Sequence, residues 1–454
     1  MGKSRATSDQ GRRVRERRKM ELELIGFLGV GLVAVLVSIG FHVGIVLAFV
    51  GFLGIMLVQG PMAGLRCLTL IPYGTCNSYT LAIIPLFLLM GEFVVMSGAV
   101  ANLFSASRCW FGRIPGGLAI VSLVTNTGLA ATTGSSIAST AMTTRIALPE
   151  MEKFGYDRAT AAGVIAAGGT LAVLIPPSIF LIFYAMLAEV SVGKMLLAGF
   201  LPGLWNALLF LFMILAMAMI MPDKMPAGPK STWMERLKSL KDVWGVLLIA
   251  VSIVGGLYGG IVTSTEVGGF GVILAFILVL INRKFTWLKL REAVWNATWS
   301  TSMIFMVVIG SFIFSTFLTL TGMSDMVADF IINVDLPAIA KFTGIILVFM
   351  FLGCFVDAFS MLAITLPIFL PAIDGLGWDI HWFGIIAVVM VEVATLTPPL
   401  GVVVHTAKAI AGPDVEIMTV FKAVLPFLLV QIFTVYTLYF FPQIVLFLVE
   451  RANL

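Results

Sequence analysis

The chain has 454 residues, 60% of them hydrophobic and only 11% charged, with a formal net charge of +4. A soluble domain is about a quarter charged, so this composition excludes an ordinary globular protein. The basic residues are local, and the small net charge gives no footing for nucleic acid.

The charges fall between long charge-free runs at 24–65, 114–144, 159–188, 195–222, 293–324 and 423–449. A bilayer core takes about 20 apolar residues per helix, and several of these runs exceed one span. Only helices and closed barrels satisfy the backbone in lipid. A barrel would alternate apolar and polar residues, which these runs do not. The fold class is therefore an all-α polytopic membrane protein.

Residues 1–20 form a basic N-terminal tail with Arg12, Arg13, Arg15, Arg17, Arg18 and Lys19. It reads as disordered and solvated. The apolar run after it is too long for a signal peptide and has no clear cleavage site. The basic cluster favours a cytoplasmic N-terminus. Residues 24–58 hold two spans, broken near Gly40. Residues 60–79 read as a loop with Pro61 and Pro72, and 81–100 as a further span. In 103–114, Arg108 and Arg113 stand beside Trp110 and Phe111, which suits a short interfacial helix.

The first repeat runs over 21–221, with a re-entrant hairpin near 116–149 and a helix near 159–189 broken at Pro176-Pro177. Gly134-Ser135-Ser136 interrupts the hairpin, and non-helical backbone at such depth is tolerated only where it lines a cavity. A span at 195–220 follows, then a polar inter-repeat loop at 222–242 with Pro222, Pro226 and Pro229. The second repeat, 243–454, opens with one or two spans in 244–281. Residues 285–298 read as the counterpart of the first interfacial helix, and 300–320 as a span. A second hairpin near 342–373, a second broken helix near 381–410 and a last span at 424–448 complete the chain. The pairing of the halves rests on five residues. Pro149, Gly155, Asp157, Pro176 and Pro177 recur as Pro371, Gly377, Asp379, Pro398 and Pro399, always 222 residues on (371 − 149, 398 − 176). Such internal repeats are common in secondary transporters, whose sites lie at breaks in paired helices.

Proline removes a donor and clashes with the preceding turn, so each Pro-Pro guarantees a break. A break exposes N–H groups at one half-helix start and carbonyls at the other's end. Carbonyls and hydroxyls are hard ligands suited to Na⁺, and helix N-termini suit carboxylates. Gly134, Ser135 and Ser136 with Pro176 and Pro177 are thus one candidate ion site. Gly353 and Asp357 with Thr397, Pro398 and Pro399 are a second. Ser135, Asp357, Thr397 and Arg145 are candidates to meet an anionic substrate, although Arg145 equally suits snorkelling to the interface. Asp357, Glu392 and Glu266 are ionisable residues in apolar surroundings, for which a functional or a paired structural role is expected.

Four cysteines (Cys67, Cys76, Cys109, Cys354) form no CxxC pair, and His42, His381 and His405 have no metal-ligand spacing. No GxSxG and no P-loop lysine occurs, so an intramembrane hydrolase is a remote alternative and ATP hydrolysis is not expected.

Several stretches carry a family resemblance: the octapeptide Ile84-Pro85-Leu86-Phe87-Leu88-Leu89-Met90-Gly91, TGSSIAS at 133–139, AAGGTLAVLIPPSI at 166–179, GLYGGIVTSTE at 256–266 and LTPPLGV at 396–402. In order, they resemble the large membrane subunit of TRAP (tripartite ATP-independent periplasmic) transporters, within the ion-transporter superfamily. The resemblance implies an elevator-type fold with inverted repeats and Na⁺ as the coupling ion. It also implies symport of a small organic anion such as a C4-dicarboxylate across the bacterial inner membrane. The implied partners are a small four-helix membrane subunit and a periplasmic substrate-binding protein, each a separate chain. By the same resemblance Ser135 and Ser136, with Ser311, serve one Na⁺ site, and Gly353, Ala394, Thr397 and Leu400 another. The sequence departs from the family pattern at Glu92, where Asn is common, and at Ser264, where Pro is usual. A stand-alone dicarboxylate or citrate carrier of the same superfamily is the alternative.

Overall fold

The computed structural model describes residues 2–452, with side chains described for 19–130, 134–257, 259–263 and 265–452. Met1, Asn453 and Leu454 lie outside the described residues, as do the side chains of the basic cluster Arg12 to Arg18, of Thr132 and Thr133, and of the departure Ser264. Among the described residues every regular element is a helix.

The first of these is α1 (Gly2–Ser38). Its backbone is helical through the basic segment expected as a disordered tail. Arg, Lys and Glu are good helix formers, and Lys19 pairs with Glu23 one turn on at 3.7 Å. The chain turns at Gly40, φ +102, into α2 (Val43–Gln59). The segment expected as a loop is instead α3 (Pro61–Cys76). Pro61 occupies the first turn, where its missing N–H costs nothing, and Pro72 is accommodated within the helix. A 3-10 turn (Tyr79–Ala82) leads into α4 (Ile83–Met96). Next come α5 (Ala99–Phe111), α6 (Gly117–Thr133), α7 (Ser136–Lys153) and α8 (Arg158–Thr170). After a 3-10 turn (Leu171–Val173) the chain resumes as α9 (Ile179–Leu187) and α10 (Val192–Ile220).

Only the first part of the expected inter-repeat loop is irregular. α11 (Trp233–Tyr258) begins within it, fixed by a capping box between Thr232 and Glu235. α12 (Ser264–Ile281) is a separate helix. α13 (Trp287–Thr321) joins the expected interfacial segment 285–298 and the following span into one continuous helix. The counterpart of α5 is therefore α14 (Met323–Asn333). A left-handed glycine precedes each, Gly98 at φ +78 and Gly322 at φ +70. α15 (Ala338–Gly353) and α16 (Ala358–Gly375) match α6 and α7. α17 (Ile380–Leu396), α18 (Val402–Ala411) and α19 (Ile417–Phe440) match α8, α9 and α10. The last expected span is interrupted at Pro442, after which α20 (Gln443–Arg451) begins.

The recurrent Gly-x-Asp has a structural cause. Gly155 and Gly377 take left-handed φ of +83° and +68°. The N–H of Tyr156 donates to Met151 and that of Trp378 to Ile373, each at 3.0 Å, which closes the end of the preceding helix. Asp157 then caps α8, accepting from the N–H of Thr160 at 2.8 Å. Tyr156 adds an anchor, its Oη accepting from the N–H of Leu118 at 3.2 Å, and burial pushes its phenol up to about 12.

Seven helices among the described residues are long and apolar enough to cross a membrane. They leave large apolar side chains such as Phe212, Leu248, Met303 and Phe433 exposed, as a lipid-facing surface requires. The chain divides into two compact units. The first comprises Met1–Ser78, Ser302–Leu347 and Phe359–Ile380. Within it α2 crosses α13 at two glycines. A Cβ on Gly310 would lie 2.3 Å from the Gly44 carbonyl oxygen. Gly310→Leu is expected to force these helices apart, at about 1–3 kcal/mol or more for overpacking. Thermal unfolding of the purified protein checks this, with Gly310→Ala losing less.

The second unit comprises Tyr79–Thr301, Val348–Ala358 and His381–Leu454. Its centre is α8, buried from Ala159 to Thr170. α8 is so rich in Ala and Gly that its neighbours approach closely, with Gly163 under Ala423 and Gly168 under Asn126. Leu118, Val121, Phe210, Val404 and Phe427 close the core around it.

Candidate functional site

The first hairpin turns where α6 ends and α7 begins. Gly134 caps α6 in the left-handed region at φ +59, and Ser135 caps α7, its Oγ accepting from the N–H of Ala138 at 3.4 Å. Ser136, the first residue of α7, is buried. The tip is packed against the first break, since a Cβ on Gly134 would come within 2.6 Å of the Pro177 carbonyl oxygen. Pro176 and Pro177, joined by a cis peptide, are buried between Val173 and the start of α9. There Ser178 caps α9 through the N–H of Leu181 at 3.3 Å, while its hydroxyl donates to the Val173 carbonyl. The structure thus brings Gly134, Ser135, Pro176 and Pro177 into one locus, as expected from the sequence.

Further along the hairpin, buried hydroxyls replace apolar packing. Asn126 Oδ1 accepts from Ser139 at 2.8 Å and Thr143 at 2.7 Å, and its Nδ2 donates to the Ile165 carbonyl at 3.2 Å. This lattice holds α6, α7 and α8 in register.

The second break differs from the first. α17 stops at Leu396, Pro398 and Pro399 are again joined by a cis peptide, and Gly401, at φ +36, starts α18. Pro398 and Pro399 are exposed, whereas Pro176 and Pro177 are buried. Ala394 is buried, and the Thr397 hydroxyl donates to the Val393 carbonyl at 2.7 Å. Leu400 lies in the turn between them. Gly353 ends α15 and is buried, while Asp357 is exposed, immediately before α16. Asp357 thus stands where Ser135 stands in the first hairpin (357 − 135 is again 222). One residue at this break was missed by sequence reasoning. His405 puts Nε2 3.1 Å from the Pro399 carbonyl oxygen, one helical turn into α18. A histidine shortly after a Pro-Pro break was the available signal.

Three expected site residues lie elsewhere. Arg145 is exposed on α7, nine residues past Ser136, about 13 Å along the axis from the tip. Glu266 is exposed and caps α12, its Oε2 accepting from the N–H and hydroxyl of Thr263 at 2.7 and 2.9 Å, which accounts for it structurally. Ser311 is fully buried on α13 in the first unit, and its Oγ has no hydrogen-bond partner.

Glu392 is fully buried in the second unit. Its Oε2 accepts from Asn206 Nδ2 at 3.2 Å and from Gln431 Nε2. Asn206 Nδ2 also donates to Gln431 Oε1 at 2.9 Å, Thr434 donates to Asn206 Oδ1 at 3.1 Å, and Gln431 Nε2 reaches Thr170 at 3.3 Å. Among the described residues no group of three or more His, Cys, Asp or Glu could hold a metal ion.

A hairpin tip meeting a broken helix within a spanning all-helical body is a transporter geometry. The comparison with known families then decides the class. Residues 30–444 match the family described as "Tripartite ATP-independent periplasmic transporter, DctM component". The chain belongs to the TRAP transporter large-permease family. It is 31% identical over 381 residues to the C4-dicarboxylate TRAP transporter large permease protein DctM of Pseudomonas aeruginosa, covering 84% of this chain and 88% of that one. It is 27% identical over 429 residues to the sialic acid TRAP transporter large permease protein SiaM of Vibrio cholerae, covering 94% and 97%. Among solved structures it shares the fold of the YdaH transporter of Alcanivorax borkumensis, with a TM-score of 0.57 at 15% identity over 84% of this chain and 89% of that one. The permease is accordingly a multi-pass inner-membrane protein of secondary transport and not an enzyme.

Proposed function

We propose that the permease takes up a small organic anion, a carboxylate, by Na⁺ symport. The observation that carries this is the seating of the Gly134 tip on the Pro177 carbonyl, repeated in sequence register at the second hairpin and break. The carbonyl ends of α6, α8 and α17 and the hydroxyls of Ser135, Ser136 and Thr397 supply hard oxygens of the kind Na⁺ takes. Gly353, Ala394 and Leu400 would contribute through main-chain carbonyls at the second site. The N-termini of α7, α9 and α18 face the same loci and favour a carboxylate. Both tips and both breaks fall within the second compact unit, which we assign as the moving body of an elevator built from inverted repeats.

The family implies a small membrane subunit and a periplasmic binding protein as partners. Selection of the substrate then rests largely on the binding protein. A C4-dicarboxylate fits the relative at 31% identity, and sialic acid is a carboxylate too. In proteoliposomes holding the permease and the small subunit, with binding protein and labelled substrate outside, uptake is expected to fall at least about tenfold, some 1.4 kcal/mol, when K⁺ replaces external Na⁺. Uptake unaffected by that replacement would refute the reading. Uptake without binding protein or small subunit would instead favour a stand-alone dicarboxylate or citrate carrier.

A further inference from the structure

The corner where α5 meets the start of α11 takes no part in either cation site proposed above. Trp110 and Trp233 stand edge to face there, ring centroids 6.4 Å apart at 89°. The Arg236 guanidinium lies over both, 4.9 Å from the Trp233 ring centre and 6.0 Å from that of Trp110. Its Nε donates to the Cys109 carbonyl at 3.1 Å. That bond and the two indoles fix the group in place, while Nη1 and Nη2 have no acceptor among the described residues.

Other cations gather around it. The Gly228 N–H donates to the Gly112 carbonyl at 2.8 Å, so Arg113 and Lys230 stand one and two residues from the same bond. Both are exposed, and neither makes an ion pair among the described residues. Of the acids in 222–242, Glu235 is held by the N–H of Thr232 at 2.8 Å, and Asp223 and Asp242 stand against Lys224, Lys230, Arg236, Lys238 and Lys241. The corner is therefore net positive.

Its depth is set by its neighbours. α10 and α11 are both long and apolar enough to cross the membrane, so the chain between Ile220 and Trp233 lies at one face of the bilayer. Trp is the usual residue at headgroup level, and the excess of Lys and Arg marks this face as cytoplasmic, the face whose lipids carry negative charge. Below the corner, Leu237, Leu240, Trp244, Leu248 and Val251 are exposed on α11. At about 100° per residue they fall within an arc of about 80°, with Trp233 at the head of the same stripe. From Trp233 to Val251 the stripe is about 27 Å long, close to the thickness of the hydrocarbon core. Helices that pack on one another in a membrane do so through small residues that permit close approach. This stripe is Leu, Trp and Val, which suits acyl chains better than a second helix.

We propose that Arg236, framed by Trp110 and Trp233, binds the phosphate of one anionic phospholipid whose acyl chains lie along the exposed stripe of α11. A guanidinium with both outer nitrogens free makes a bidentate pair with phosphate. Arg113 and Lys230 add attraction for the net charge of the headgroup, and the bound lipid joins α5 to α11.

Purified full-length permease, stripped of lipid in mild detergent, tests this. It is titrated with phosphatidylglycerol, phosphatidylcholine or soluble glycerol 3-phosphate, and bound lipid is counted by native mass spectrometry while the thermal midpoint is followed. Phosphatidylglycerol is expected to bind and to raise the midpoint at concentrations at least about tenfold below those of phosphatidylcholine, and glycerol 3-phosphate to do neither. Arg236→Gln is expected to weaken phosphatidylglycerol binding about tenfold. Lys238→Gln, two residues on and so about 200° round α11, is expected to weaken it by about twofold or less. Equal losses in the two variants would mean a diffuse basic surface and overturn the proposal, as would equal affinity for the two lipids. An Arg236→Gln permease that unfolds earlier yet binds phosphatidylglycerol as the wild type does would make Arg236 a fastening between helices only. A midpoint raised equally by glycerol 3-phosphate would assign the corner to a free anion, and phosphatidylglycerol displaced by the small membrane subunit would assign the stripe to a protein helix. Each of these results also overturns the lipid site. Should Arg236→Gln fail to fold, the exposed pair Arg113→Gln, Lys230→Gln is expected to lower the affinity about fivefold, and an unchanged affinity counts against the proposal.

Discussion

Gly134→Ala is expected to lower uptake about tenfold or more while leaving the permease folded. The residue sits at φ +59, where a side chain costs about 1–2 kcal/mol. The new methyl would also lie 2.6 Å from the Pro177 carbonyl oxygen, which belongs to backbone and cannot swing aside as a flexible side chain would. The strain relaxes either by lifting the hairpin tip or by turning the carbonyl, and either change disturbs the oxygens assigned to the first cation site. Thermal unfolding should report a modest loss, whereas the Na⁺ concentration for half-maximal uptake should rise. Equal Na⁺ dependence in Gly134→Ala and wild type would show that the tip and the break do not act together.

Gln431→Leu is expected to destabilise the second unit. It removes a donor to Glu392 Oε2 and the acceptor of Asn206 Nδ2 at once. Losing these hydrogen bonds and leaving their buried partners unsatisfied costs about 1–3 kcal/mol. Removing the carboxyl as well should recover part of that loss, because Glu392→Leu leaves no acid to be stranded. The double variant is thus expected to be more stable than the sum of the single losses, by about 0.5–3 kcal/mol. Denaturation midpoints of the four proteins check it, and strict additivity would mean that Glu392 and Gln431 do not interact.

The sequence disclosed those features whose physics is local. Pro176-Pro177 and Pro398-Pro399 must interrupt helices wherever they fall, and they do. Gly155 and Gly377 served in the sequence only as marks of the repeat, and both take left-handed φ at a helix end. Pro61 and Pro72 misled for the same reason. Proline reads as a breaker, yet Pro61 stands in a first turn and α3 continues through Pro72. Residues 285–298 look interfacial because Trp and Lys/Arg alternate there, but nothing in that pattern says that the helix continues into the span. The start of α14, which like α5 follows a left-handed glycine, is marked only by Gly322, a single residue in an apolar stretch.

The candidate tips and breaks were legible in the sequence, and the polar cluster around Glu392 was not. Ser135, Pro177 and Thr397 stand in short motifs, so their neighbours are close in sequence. Asn206 and Gln431 are lone amides in apolar runs, and they meet Glu392 only through the packing of α10, α17 and α19. Their shared shift was the available clue, obscured because it is 225 rather than 222 (431 − 206 against 398 − 176). Arg145 is the converse case: its charge suggested a substrate role or snorkelling, and it stands exposed about 13 Å along α7 from the tip.

The central claim is that oxygens at the two helix breaks hold Na⁺. The most direct measurement is the thermal midpoint of the purified permease in Na⁺ against choline, for the wild type and the double variant Gly134→Ala, Thr397→Val. A ligand at 100 times its Kd stabilises by about 2.7 kcal/mol per site, so Na⁺ should raise the wild-type midpoint clearly and the double variant's little or not at all. Identical midpoints in Na⁺ and choline for the wild type, or an undiminished rise in the double variant, would contradict the account.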